Sequence, residues 1–177
     1  MKFFGNSGAA VFLTALMVIF AMLFGVSSSL GGMRNEAENL FYDGMGIEYD
    51  LERIIANSHN LLTVAKRYIG EDEQVMRDVA DAREALSTAV SPAKKYEAEL
   101  LLAQSASSLA DALEEKRISD KDLTYVKECR INITSHEMTI ASNGYNHAAR
   151  SFNAELGSFP ANILGFFAGL RPLELYG

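Results

Sequence analysis

Three histidines, one cysteine and several acidic clusters are the residues of this 177-residue chain that could build a catalyst or a metal centre. Imidazole is the commonest metal ligand and general base, so His59, His136 and His147 come first. The zinc-protease pattern His-Glu-x-x-His begins at His136-Glu137, but Ile140 stands where its second histidine belongs. A di-iron bundle needs Glu-x-x-His on two helices, and the residues three before the histidines are Ala56, Ile133 and Gly144. The histidines therefore read as surface or helix-flank residues. Cys129, between Val126 and Ile133 on an apolar stripe, reads as a core thiol rather than a nucleophile. A single cysteine also excludes a disulfide framework within one chain. Neither a Gly-rich phosphate loop after a strand nor a Ser-elbow pattern occurs. The sequon Asn132-Ile133-Thr134 falls in a helical stretch, and Glu71-Asp72-Glu73 sits where it would stabilise a helix start through the macrodipole. The expectation is a non-enzymatic protein with no catalytic residues, no metal and no cofactor.

Charge divides the chain in two. Every residue from Phe3 to Met33 is uncharged, so 15 of the 16 basic and all 23 acidic residues lie from Arg34 onward, a net charge of −8 over 144 residues. That acidic remainder is large enough for an ordinary core and offers nucleic acid no basic stripe. Gly8 to Val26 forms a 19-residue run whose one hydroxyl is Thr14. As a helix it covers roughly 28 Å, the hydrocarbon thickness of a bilayer. A membrane span is expected, with Ala9, Val11, Leu16, Ile19, Leu23 and Val26 within it. The run exceeds the apolar core of a usual cleaved signal, which favours an uncleaved anchor. Lys2 before it, against Arg34, Glu36 and Glu38 after it, favours a cytoplasmic N-terminus and an extracytoplasmic domain.

After a loop expected at Ser27–Gly32, the apolar spacing is helical almost to the end. Segment A, about 35–69, carries Ile47, Leu51, Ile54, Leu61, Leu62, Ala65 and Tyr68 on one face, with Gly44 and Gly46 interrupting its start. Segment B, 72–90, has Val75, Val79, Ala82, Leu86 and Val90. Ser91-Pro92 stops it and starts segment C, 92–116, where Tyr96, Leu100, Ala103, Ala110 and Leu113 are expected inward. Segment D opens at Ser119 with Asp122 three residues on. It then runs through Val126, Cys129, Ile133, Ile140, Ala148, Phe152 and Leu156. No stretch alternates with period two, so the fold class is all-α: a transmembrane helix followed by an antiparallel up-and-down four-helix bundle with coiled-coil-like packing. The expected division is 1–32 anchor and hinge, 33–160 bundle, 161–177 apolar tail.

Two features near the end stand out. Asn146 and Asn153 lie seven residues apart, each after an aromatic, Tyr145 or Phe152, with Asn143 just before. Asparagine is a poor helix former, so the pair is either a register-setting or recognition stripe or a solvated face. Beyond Phe159-Pro160, five large apolar groups, Ile163, Leu164, Phe166, Phe167 and Leu170, crowd into eight residues. Such a segment should not lie bare in water, and helix parity returns it to the bilayer side, so it is expected to touch lipid or cap the core.

Tyr145-Asn146, Ser151-Phe152-Asn153, Ser158-Phe159-Pro160, the small and aromatic run to Leu170 and the late Tyr176 resemble the C-terminal signature of the LemA family. Asn60-Leu61, Lys66, Tyr68, Glu71–Glu73 and Ala82-Arg83 match upstream in the same order. The chain departs at Ile54–Leu61, where His59 replaces the family's proline. The resemblance implies a membrane-anchored helical bundle and no enzymatic activity. The resulting reading is an interaction or scaffolding module at a bacterial cell membrane, with lipid and unidentified proteins as partners and room for a homo-oligomer. The alternative is a sensory, ligand-binding bundle, which would need a polar and partly hollow core.

Overall fold

The computed structural model describes residues 7–177, with Ser7 and Ala9 in backbone only; Lys2, the basic residue ahead of the apolar run, lies outside them. Seven helices follow in order: α1 (Ser7–Tyr42), α2 (Ile47–Ala65), α3 (Gln74–Thr88), α4 (Pro92–Glu115), α5 (Asp120–Ala141), α6 (Tyr145–Gly157) and α7 (Ala161–Phe167). The described residues contain no strand, so the chain is all-α. They form two compact units.

The first unit holds α1 up to Ala37 together with His147–Leu173. The expected loop at Ser27–Gly32 is helix, and α1 runs unbroken for 36 residues. Two glycines in a helix interior cost about 1 kcal/mol each. Burial of Leu30, with Val26 and Met33 half-buried beside it, holds the helix through them. Leu30, Phe152, Leu156 and Ala161 form the core of this unit, and Leu170 and Leu173 pack on its edge. Gly165 lets α7 approach closely: a Cβ there would stand 2.3 Å from Leu156 Cδ1.

The second unit, Glu38–Asn146 with Glu174–Gly177, contains the four-helix bundle α2–α5. A sharp turn precedes it. Gly44 takes a positive φ, and a Cβ on Gly46 would come within 2.7 Å of the Phe41 carbonyl oxygen, so α1 and α2 are separate helices rather than one bent segment. Segment D likewise divides, at Ser142-Asn143-Gly144. Asn143 Oδ1 accepts from the Tyr145 amide (2.8 Å) and its Nδ2 donates to the Leu40 carbonyl (3.2 Å), replacing helix hydrogen bonds with side-chain ones. Ser119 caps α5 by accepting from the Asp122 amide, and Pro92 occupies the first turn of α4 after Ser91, both as the spacing predicts.

The bundle core is aliphatic: Leu51, Ile54 and Leu61 of α2, Val79 and Leu86 of α3, Leu102, Leu109 and Leu113 of α4, Val126 and Ile133 of α5. Two expected faces are shifted. On α4 the buried set is Ala98, Glu99, Leu102, Ala106, Leu109, Ala110 and Leu113, while Leu100 is exposed and Tyr96 and Ala103 are half-buried. Consecutive leucines at 100–102 occupy three directions around a helix, and periodicity cannot choose among them. Val90 lies beyond the end of α3 and is exposed, whereas Met76 is buried.

Candidate functional site

The candidate membrane anchor is α1. Its most apolar 18-residue window has a mean hydropathy of 2.5 and no buried residue. Val11, Leu16 and Ile19 are exposed, Leu23 and Val26 half-buried, and Leu30 fully buried, so protein packing begins where the apolar run ends. Thr14 Oγ1 donates to the Ala10 carbonyl at 2.9 Å, which keeps its hydroxyl satisfied without water.

In the same unit, Phe152 is completely buried and Asn153 clamps the chain that follows α7. Asn153 Nδ2 donates to the Leu173 carbonyl and Asn153 Oδ1 accepts from the Leu173 amide, both at 2.8 Å. A carboxamide offers one donor and one acceptor side by side, the pattern of a backbone residue in a ladder. Pro160 is half-buried. The tail residues separate by face: Leu164 and Leu170 are partly buried, whereas Phe159, Ile163, Phe166 and Phe167 are exposed.

The second unit repeats the clamp. Asn146 Nδ2 donates to the Tyr176 carbonyl (2.7 Å) and Oδ1 accepts from the Tyr176 amide (2.8 Å), while Tyr145 Oη donates to the Glu174 carbonyl (2.6 Å). The asparagines therefore grip backbone. Tyr176 is buried, with its ring 5.9 Å from Phe41 and 5.3 Å from Tyr96, and Phe41 packs edge-on to Tyr145 at 4.9 Å. Burial, with Tyr42 and Glu174 adding to it, pushes the Tyr145 phenol up to about 12, so it is a donor at neutral pH.

Polar pairs, some buried and some at the surface, link α2 and the turn after it to α5, and the sequence did not single them out. Asp50, only 4% exposed, bonds His136 Nδ1 at 2.7 Å; Asn132 Nδ2 donates to Asn57 Oδ1 at 3.3 Å; Arg67 pairs with Asp122 at 2.9 Å. Ascending numbers on one segment meet descending numbers on the other, so these links set the antiparallel register of α2 and α5. His136, half-buried on the flank of α5, is thus a register partner, while His59 and His147 are exposed. The signal was present: Asp50 precedes Leu51 on the inward face, and His136 lies three residues after Ile133.

Glu99 is 4% exposed, and its carboxyl is pushed up to about 7, first by burial and then by Glu137, with the neighbouring Tyr176 opposing the rise. Burial, and then the charge of Glu99, holds the Tyr176 phenol far above its ordinary range. Cys129 is buried, and burial, followed by the charge of Glu128, raises its thiol. Among the described residues, no three His, Cys, Asp or Glu side chains converge as ligands for a metal ion. Two surface grooves carry mixed charge. One, of about 730 Å³, is lined by Asn60, Arg67, Asp122 and Tyr125 among others. Another, of about 500 Å³, is lined by Gln104, Ser107, Arg130 and Glu137 among others.

The LemA family model matches residues 45–177, which takes in α2–α7 and the C-terminal strap but leaves α1 outside. No curated protein matches the chain.

Proposed function

This chain belongs to the LemA family, and we propose that it works as a membrane-anchored, non-enzymatic interaction or scaffolding module. In this reading α1 crosses the bilayer once as an uncleaved anchor, and the bundle offers its polar faces to protein partners. The observation that carries the reading is α1 itself, apolar and exposed from Val11 to Met22 and then increasingly packed from Leu23 to Leu30. Water would penalise that surface heavily, whereas hydrocarbon would not. The orientation supported by Lys2 ahead of the span puts the bundle outside the cytoplasm.

The aliphatic core of the bundle favours this over a sensory role, which would need a hollow polar centre. Partner contact suits the mixed-charge grooves along α2–α5 and α4–α5. Two measurements test the proposal. Alkaline carbonate extraction should leave the intact chain in the membrane pellet and release a version lacking residues 1–32. Proximity labelling should give different partner sets for the two versions; equal labelling of the same proteins would make anchoring irrelevant to partner choice.

A further inference from the structure

The helix α7 is inverted for a surface helix in water. Its buried positions are the small residues Ala161 and Gly165, four apart, and its outward positions, apart from Asn162, are large and apolar. Phe159, just ahead of the helix, is 80% exposed, Ile163 49%, Phe166 80% and Phe167 81%. A helix bordering water normally turns its large apolar groups inward and its small or polar groups outward. Elsewhere among the described residues beyond α1, exposed large apolar side chains stand singly or in pairs, which needs no explanation. Close packing accompanies the inversion: a Cβ on Gly165 would stand 2.3 Å from Leu156 Cδ1, so a larger residue there requires that side chain to move.

The occupant of this face follows from what surrounds it within the same unit. Ala161 belongs to the cluster around Leu30, with Val26 and Met33 of α1 packed against it. Those α1 residues immediately follow the exposed apolar run that ends at Phe24. From Phe24 to Leu30, α1 rises about 9 Å. An interfacial helix buries its apolar face about 5–10 Å into the boundary between headgroups and acyl chains. Charge agrees: the described residues of this unit carry Arg34, Arg150 and Arg171 against Glu36 and Glu155, in an otherwise strongly acidic protein. Such a balance suits anionic headgroups.

We propose that Phe159, Ile163, Phe166 and Phe167 form a wedge that inserts into the interfacial layer of the bilayer that α1 spans. The wedge rests on the anchor reading of α1, and the experiment separates the two. The chain has no tryptophan, so Phe167→Trp and Phe20→Trp each give a single-probe version of the intact chain without background. Both probed side chains are exposed, so the substitutions leave the core intact.

Each variant is reconstituted in phosphatidylcholine–phosphatidylglycerol vesicles containing lipids brominated either near the headgroup or near the acyl terminus, and iodide serves as the aqueous quencher. The expected result is loss of Phe167→Trp emission to headgroup-proximal bromine, more than to deep bromine, with shielding from iodide. Quenching of Phe20→Trp by bromine while Phe167→Trp answers only to iodide would overturn the wedge and leave the anchor. A Phe167→Trp probe shielded from both quenchers would mean that protein covers the face, which also overturns the wedge. If bromine quenches neither probe, the anchor itself fails and the wedge with it.

Discussion

The unit built on α1 and the unit built on α2–α5 bury different chemistry. The first has a small apolar cluster around Phe152, and none of the charged or amide side chains buried among the described residues belongs to it. The second buries Asp50, Asn57, Ser58 and Glu99 inside an otherwise aliphatic core. Their charges differ as well: the described residues of the first unit carry three basic and two acidic side chains, those of the second 12 and 21. Buried polar pairs cost desolvation but penalise slipped registers, since a shift would strand each group without its partner. Four similar amphipathic helices need that discrimination. A short helix pair tied by an asparagine clamp gains its register from the clamp instead.

The most severe way to break the comparison is Phe152→Ala. Removing a fully buried aromatic ring should cost about 3–5 kcal/mol. Limited proteolysis should then cut residues 161–173 readily while the thermal transition of the bundle stays in place. A single transition that shifts as a whole would show that the two units unfold together.

Next is Glu99→Gln, which sharpens the contrast in buried charge. The folded carboxyl titrates at about 7 against an ordinary 4.5, so the native state holds a proton that the unfolded chain has released between those values. Stability is therefore fully supported below pH 4.5 and declines as pH rises through 7, by up to about 3 kcal/mol. The amide variant should lose that decline and be more stable at pH 8, read by urea denaturation across the range. An unchanged slope would place the titrating group elsewhere.

Asn153→Ala should cost about 1–3 kcal/mol by leaving the Leu173 amide and carbonyl without partners. Asn153→Asp keeps an acceptor for the Leu173 amide but loses the donor to its carbonyl, so hydrogen exchange at Leu173 should rise less than in the alanine variant. Equal exchange in both would mean that the clamp acts through the donor alone. The smallest effect belongs to Arg130→Ala on the bundle surface, where the pair with Asp111 is 40% and 57% exposed. The loss should be below about 1 kcal/mol and should shrink further in high salt.

Much of this was legible in residue order. The apolar helix α1, the pause at Ser91-Pro92, the Ser119 cap and the inward faces of α2 and α5 follow from spacing and capping chemistry. The seven-residue Asn repeat was legible as a pattern but not as a clamp, because its partners at Leu173 and Tyr176 are distant in sequence and bond through backbone. The pairing of His136 was not legible because its partner Asp50 lies 86 positions away. Ser27–Gly32 looked like a hinge because glycine lowers helix propensity, and only the burial of Leu30 overrides that preference.

By itself, then, the sequence determined composition-level physics: one uncharged run long enough for a bilayer, an acidic remainder, and apolar spacing that permits helices and little else. Tertiary structure decided where those helices break, which of the three leucines at 100–102 faces inward, and which tail residues are core and which are surface. The physical reason is that periodicity specifies a face without specifying what covers it. Leu170 has the same local chemistry as Ile163, and only contact with the cluster around Leu30 and Phe152 separates them.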